Sequence, residues 1–506
     1  MLRKIGFSLF AIGILAILFH LVGIRFPTLR WFFSDDKETF GWIACSLLIL
    51  TGLGLAFLGP KDFQFSPQTR RQIQRFRSLK RGWYSLLLLG LLVLLALLDN
   101  LVVGKTALVV RYEGRLFFPA LVDPIPATTF GSEGDGEPNY RELRERFSGE
   151  GAGNWVLMPP VPWDPTLDSD DEQRTRLVEN SEGLFVLEGS GKPYSGLASI
   201  FYQDAPDVKR REWRFRRGKK DGPMEGWDRD GNQVERGIWE GGEKRVHEIV
   251  DAESLSSLDG AALTPMIVVR YPPVPPSWKD RHFLGTSTSG GDILAQLYGG
   301  WQILLQANVI FLVITYGIGI TLGCAMGYFG GSFDLVVQRL IEVLSNLPFL
   351  YVVIIIASVI ERPPMPVLVG VLCVFSWIGM TYYLRTATFR EKARDYVSAA
   401  RVMGASTGRV IFKHVLPNTI AIIVTLLPFS VTSVIGSLTA LDYLGFGLPV
   451  EYPSWGRLLS EGADNLSSPW IVSGAFFGTV IILVLVTFVG EAVREAFDPK
   501  RFTTYK

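Results

Sequence analysis

The chain is poor in the residues that carry most chemistry. Cysteine occurs three times in 506 residues, at Cys45, Cys324 and Cys373, each within an apolar run. That number and placement exclude a disulfide framework and read as small buried hydrophobes. Histidine occurs four times, at His20, His247, His282 and His414, without metal-ligand spacing. Fifty basic residues stand against 49 acidic ones, a net charge of +1. No global basic surplus argues for nucleic acid as a partner, so only the local placement of charge is informative.

Catalytic signatures are also missing. Gly104, Lys105 and Thr106 resemble the end of a phosphate-binding loop, but the earlier glycine is replaced by Asp99, and the triplet directly follows an apolar run. Gly191 and Lys192 are followed by Pro193 rather than Ser or Thr. His247 and Glu248 lack the second histidine of a zinc-protease helix. No serine is placed in the strand-to-helix elbow of a hydrolase. The chain reads as neither ATPase nor hydrolase, with no cofactor and no metal site of its own.

What the sequence has is apolar length. It is 48% hydrophobic and 20% charged, too charged for a purely intramembrane protein. Eight runs approach the roughly 20 residues that cross a bilayer. They are 5–24, 40–59, 83–103, 301–328, 337–360, 366–384, 418–441 and 471–490. The first follows Met1-Leu-Arg-Lys and has no small-residue cleavage site, so it reads as a retained helix rather than a signal peptide. The fifth carries Arg339 and Glu342 in its first turns, where a helix end near the headgroups tolerates charge.

Loop charge orients these runs. Segment 61–82 holds Lys61, Arg70, Arg71, Arg75, Arg77, Lys80 and Arg81 against Asp62 alone. Segment 385–413 holds Arg385, Arg390, Lys392, Arg394, Arg401, Arg409 and Lys413. Both are expected on the cytosolic side. With eight spans, both termini are then cytosolic, and 104–300 and 442–470 face outward.

The outer segment reads differently. Leu108 to Phe118 forms two short strands around a turn at Glu113 and Gly114. Proline-rich runs at 158–165 and 271–278 bracket an insert of about 166–265. Within it, Gly196 and Gly222 mark a weak 26-residue repeat resembling MORN-like hairpins, and Arg214 and Arg216 alternate with Trp213 and Phe215 as in a half-exposed strand. The basic cluster from Lys209 to Lys220 is read as a solvated strand face, with an anionic partner as the sharper alternative.

Between two apolar runs lies a polar, basic, helix-prone stretch, 396–417. Small residues Ser398, Ala399 and Ala400 precede Arg401. Gly404, Ala405 and Ser406 break it, and Leu416 and Pro417 close it. The order predicts a short helix, a tight turn and a second short helix at a membrane surface. Ala399, Ala400, Gly404, Leu416 and Pro417 resemble the cytosolic loop of permease subunits of bacterial binding-protein-dependent ABC importers. Their pattern is Glu-Ala-Ala, three residues, Gly, nine residues, an aliphatic residue, one more, then Leu-Pro. Ser398 stands for the Glu and His414 for the aliphatic residue. The ending from Lys413 to Asn418 is similar to that of the oligopeptide/dipeptide branch.

The likeness runs over 283–506. It includes Phe283 to Ser287, Gly290 to Leu294 with Asp292 kept, Gly327-Tyr-Phe-Gly-Gly331, Thr439 to Gly447, and Pro453 to Gly456. Ser287 and Gly291 stand for a family Asp and Arg. Upstream, 66–84, Tyr112 to Pro119, Thr128 to Gly131 and Trp155 to Trp163 look like the microcin C and peptide uptake subgroup. The helices at 5–24 and 40–59 and the insert depart from it.

The resemblance implies a mainly α, polytopic membrane protein with a type I importer core, to which the chain's own patterning adds a β-rich periplasmic insert. It divides as 1–60 (two extra helices), 61–82 (basic cytosolic linker), 83–103 (first permease helix), 104–282 (periplasmic) and 283–506 (permease domain, coupling loop about 389–417). It implies peptide import across the inner membrane by alternating access. The partners would be a second permease subunit, two ATPase subunits or one fused ATPase that bind the ATP, a periplasmic solute-binding protein, and membrane lipid. Ser398, Ala399, Ala400, Arg401, Gly404, Ala405, Leu416 and Pro417 would form the ATPase contact. Gly404 would free the turn, and Pro417 would set the start of the next helix. Other readings stay open: a permease for nickel or microcin-like cargo, a membrane-anchored interaction protein working through its insert, and a membrane enzyme using outer acidic residues.

Overall fold

The computed structural model describes residues 2–21, 46, 49–54, 56, 67–132, 134–150, 153–166, 168, 173–188, 193–205, 207–251, 262–360 and 363–497. The chain divides into two compact units. One comprises 1–168, 275–285 and 291–506, and the other 169–274 and 286–290.

The first unit opens with α1 (Leu2–Leu21), whose apolar stretch is Gly6–Phe19. The second expected span, 40–59, lies largely outside the described residues. A basic amphipathic helix, α2 (Pro67–Ser78), leads into α3 (Lys80–Leu97). Strands β1 (Val109–Tyr112) and β2 (Arg115–Phe117) form a hairpin around Glu113 and Gly114. Helix α4 (Tyr140–Glu150) and strand β3 (Trp155–Leu157) follow, giving a small sheet ordered β2-β1-β3. Its core gathers Val110, Phe130, Tyr140, Leu143 and Phe147.

The membrane bundle continues after the second unit. It consists of α5 (Ile293–Phe329), α6 (Gly331–Ser345), α7 (Phe349–Val359), α8 (Met365–Lys392), the short α9 (Asp395–Val402), α10 (Leu416–Tyr443), α11 (Trp455–Asp464) and α12 (Pro469–Phe497). Among the described residues five helical runs are long and apolar enough to cross a membrane, or six if α6 and α7 make one broken span. Eight spans were expected. The run at 337–360 is not one helix, because α6 and α7 meet at 71°. Pro348 supplies no N–H and disfavours helical geometry at Leu347. The last turn of α6 tightens accordingly, with Asn346 N donating to Val343 O and Leu347 N to Leu344 O.

Close approach holds the longest helices together. A Cβ on Gly319, Gly323 or Gly327 would lie within 3.0 Å of α8, at Met380 Cβ, Thr381 O and Arg385 O respectively. The four-residue spacing puts all three on one stripe of α5, so two backbones meet where side chains would hold them apart. At the other end, α5 side chains donate to carbonyls in the last turns of α3. Tyr298 Oη donates to Leu95 O at 2.7 Å, Trp301 Nε1 to Leu92 O at 3.2 Å and Gln302 Nε2 to Ala96 O at 2.9 Å.

The second unit is an eight-stranded antiparallel sheet. Its strands are β4 (Gln173–Glu179), β5 (Phe185–Leu187), β6 (Gly196–Phe201), β7 (Lys209–Arg216), β8 (Lys219–Trp227), β9 (Gln233–Glu240), β10 (Glu243–Ile249) and β11 (Ile267–Arg270). The order is β10-β9-β8-β7-β6-β11-β4-β5. Along β7, Trp213 and Phe215 are buried while Arg214 and Arg216 are exposed, the period-two pattern of a strand with one wet face. Gly196 pairs with Phe215, and Gly222 with Trp239. Lys220 Nζ sits 4.7 Å from the rings of both Trp213 and Trp239.

Candidate functional site

Segment 393–418 joins the two helical runs that pack through α8 and α10. Val397 and Ala400 lie three apart on one face of α9, and both are buried. Val397 joins an apolar cluster with Tyr316, Cys324 and Tyr328 of α5, Met380 and Leu384 of α8, and Val410, Ile411 and Val415. The opposite face of α9 carries Ser398, Ala399, Arg401 and Val402, all exposed. Ala400 is therefore not part of the outward face. Its small side chain lets α9 sit close to the bundle, and the outward small residues are Ser398 and Ala399.

The turn follows at once. Gly404 has φ +80°, the left-handed region that costs a glycine nothing. Its N–H donates to Arg401 O at 2.9 Å, and Ala405 N to Ala400 O at 3.0 Å, closing the end of α9. Ala405 is half-buried against the apolar cluster. Ahead of the turn, Val402 and Met403 are 88% and 80% exposed, an apolar tip on a basic loop. The sequence reading passed over both. Val402 lies out of helical phase with the buried pair Val397 and Ala400, and that offset marks the tip.

The second short helix is not separate. Residues Thr407–Arg409 are helical, Val410–Val415 form a π-turn, and the run continues through Leu416 into α10. The helix was expected to begin at Pro417. The wider turn removes the need for a stop: Leu416 N reaches back five residues to Ile411 O, so a proline lacking an N–H fits the first turn of α10 without breaking it. Leu416 is half-buried and Pro417 exposed. Gly404 to Gly408 also spell Gly-x-Ser-x-Gly, which the sequence reading passed over. Ser406 follows a helix rather than a strand, and its side chain makes no capping hydrogen bond, so the run lacks the geometry of a nucleophile elbow.

Side chains tie the loop at its base. Tyr396 Oη donates to Glu391 Oε2 at 2.9 Å and accepts from Asn418 Nδ2 at 3.1 Å, joining the end of α8 to the start of α10. Burial, and then the hydrogen bond it donates to the Glu391 carboxylate, push the Tyr396 hydroxyl above its ordinary value. Arg401 Nε donates to Tyr328 Oη at 3.1 Å, and its guanidinium lies 4.8 Å from that ring. Lys392 Nζ donates to Tyr328 O at 2.5 Å. Arg409 and Lys413 are exposed. Two clefts of about 560 and 420 Å³ lie at the loop end of α8, α10 and α12 and share Tyr383 and Ile422. Glu491, Arg494 and Glu495 line the larger one.

A second polar assembly sits at the start of α5. Asp292 Oδ1 accepts from Ala295 N at 2.7 Å and so caps the helix, while Oδ2 meets His282 Nδ1 at 2.9 Å. The His282 ring stacks on Trp163 at 4.1 Å, and the Arg141 guanidinium covers Trp163 at 4.0 Å. Arg141 in turn grips Asp168 with two hydrogen bonds. Asp292 was noted in the sequence. His282, placed among scattered histidines, proves to be its partner.

Residues 319–503 match the family described as binding-protein-dependent transport system inner membrane component. The dipeptide transport system permease protein DppC of Bacillus subtilis (strain 168) is 34% identical over 250 residues, covering 48% of this chain and 76% of that protein. The oligopeptide transport system permease protein OppC of Escherichia coli (strain K12) is 32% identical over 226 residues, covering 44% and 74%. The peptidoglycan transport system permease protein YejE of Agrobacterium fabrum (strain C58) is 29% identical over 445 residues, covering 87% and 96%. The chain belongs to the binding-protein-dependent permeases, the multi-pass membrane subunits of ABC importers. Within them it groups with the C-type permeases named for oligopeptide and dipeptide transport.

Proposed function

We propose that this chain is a permease subunit of an ATP-driven importer that moves peptides or peptide-like solutes across the inner membrane by alternating access. Segment 396–417 is its contact with separate ATPase subunits. The observation that carries this reading is the exposed edge of Ser398, Ala399, Val402 and Met403 beside the left-handed Gly404, set on a base held by Glu391, Tyr396 and Asn418. An apolar tip on a short, braced helix is a shape that a groove on another protein can hold. Closure of two ATPase subunits would favour one arrangement of the helices over another through that contact.

The remaining parts fit around it. Both termini and the basic segments 61–82 and 385–413 face the cytosol, and 104–300 faces the periplasm, where a solute-binding protein delivers cargo. A second permease subunit completes the path. The ATPase subunits bind the ATP, and this chain holds no cofactor. The sheet of the second unit is accessory to transport.

Purification from nanodiscs, followed by uptake of labelled short peptides, tests this. The expected result is co-purification of an ATPase subunit, and loss of uptake in Gly404→Asp, which strains the turn at φ +80°. Absence of any ATPase subunit together with undiminished uptake by Gly404→Asp would overturn the reading. Deletion of 166–265 with transport retained separates the permease role from an interaction protein working through the insert.

A further inference from the structure

The loop leaves the bundle by two routes. One is covalent: Thr407 to Val415 run without interruption into α10. The other is noncovalent, and its polar contacts to α5 converge on one residue. Tyr328 is 8% exposed and packs with Val397, Val410, Ile411 and Val415. Two cations from different segments grip it. Arg401 of α9 donates to its hydroxyl and lies 4.8 Å from its ring. Lys392, the last residue of α8, donates to its carbonyl and lies 5.6 Å from the same ring.

We infer that Tyr328 is the positioning residue through which segment 395–409 moves α5, an inference that rests on reading that segment as the ATPase contact. Neither cation has a carboxylate partner among the described residues, so the aromatic face and two oxygens of Tyr328 are what hold them. Long cationic side chains on a ring face tolerate a slide that interlocked apolar side chains would not, while a cation–π pair with a charged hydrogen bond still resists separation. The contact is thus suited to pulling a helix end sideways.

The helix it holds is well placed to carry that motion. With 37 residues, α5 is about 55 Å long at ~1.5 Å per residue. Its glycine stripe seats it on α8 without intervening side chains, so the two helices shift as one block. At its far end Asp292 caps it and meets His282 under Trp163. A displacement applied at Tyr328 therefore reaches the opposite end of the bundle along one continuous helix.

The test uses the complete importer in proteoliposomes, with ATP hydrolysis and labelled-peptide uptake measured in the same vesicles. Tyr328→Leu keeps apolar bulk and removes ring and hydroxyl. Its ATPase content should match wild type, its hydrolysis should stay within about twofold, and its uptake per ATP should fall about tenfold. Tyr328→Phe keeps the ring and should lose about threefold. Uptake per ATP unchanged in Tyr328→Leu, or hydrolysis and uptake falling in equal proportion, would overturn the inference. If Tyr328→Leu does not fold, Lys392→Met decides it by the same ratio, since Lys392 ends α8 outside the 396–417 contact and holds Tyr328 through its carbonyl and ring. Failure of wild-type chain to bind any ATPase subunit is a different result, and removes the underlying reading before any variant is made.

Discussion

Arg385 holds Asp334 in a two-point ion pair, with Nε to Oδ1 at 2.5 Å and Nη2 to Oδ2 at 2.6 Å. The pair fixes the first turn of α6 to α8 at the residue whose carbonyl Gly327 of α5 approaches. Asp334 lies near the N-terminus of α6, where a negative charge is favoured by the helix dipole. Three helices are thereby locked at the end that carries the loop. The sequence counted Arg385 among the bases that orient the chain; its structural task is this clamp.

Removing one partner leaves the other charge half-enclosed. Asp334→Asn should lower stability by about 2 kcal/mol, less than a fully buried pair loses because the Arg385 side chain keeps 24% of its exposure. Thermal unfolding in detergent measures it. In a double-mutant cycle, Asp334→Asn with Arg385→Gln should cost clearly less than the two single changes added together. A fully additive double mutant would show that the pair contributes nothing.

The stripe on α5 makes a sharper prediction, because it has an internal control. A Cβ on Gly323 would lie 2.7 Å from Thr381 O and 2.9 Å from Leu384 Cβ, whereas one on Gly317 would meet nothing within 4 Å. Gly323→Ala should force α5 and α8 apart and cost about 1–3 kcal/mol. Gly317→Ala should be neutral or stabilising by up to about 1 kcal/mol, the usual gain of alanine over glycine within a helix. Equal melting points for the two variants would refute close packing along this stripe.

Legibility from sequence followed the range of the interactions. The spans at 83–103, 301–328, 366–384, 418–441 and 471–490 could be read because apolar length is local and additive. They correspond to α3, α5, α8, the run into α10, and α12. Pro348 marks a bend within 337–360, but the unbroken hydrophobicity of that run reads as one continuous span, because the angle at the break depends on how the two helices pack. The small residues of the loop were visible, but not their facing: the spacing of Val397 and Ala400 turns Ala400 inward and leaves Ser398 and Ala399 outside. Tyr328 was seen only within a motif. Its grip by Lys392 and Arg401 joins residues 64 and 73 positions apart, and no periodicity connects such sites. The same holds for Arg141, Trp163, His282 and Asp292, whose stack depends on how α4 and the start of α5 pack.

The last prediction concerns the second unit and pH. Glu235 is buried in the sheet and accepts from Arg210 Nη1 at 2.7 Å and Arg211 Nε at 2.5 Å, with His247 Nε2 at 3.0 Å. Burial by itself raises the carboxyl. The hydrogen bonds from Arg211 and His247 and the charges of Arg211 and Arg210 outweigh it and hold the group below its ordinary value of 4.5. A depressed carboxyl stabilises the fold above its unfolded value, and the contribution is lost as pH falls through the folded value. Amide exchange in β7, β8 and β9 of the intact protein, corrected for intrinsic rates, should therefore show constant protection from pH 7 to about 5 and declining protection below about 4.5. Glu235→Gln should lose about 2 kcal/mol of that protection at pH 7, a figure reduced from that of a sealed pair because Arg211 is 37% exposed. The difference between wild type and variant should shrink as the pH falls below 4.5. A difference that stays constant down to pH 3 would show that the charge on Glu235 is not what stabilises these strands.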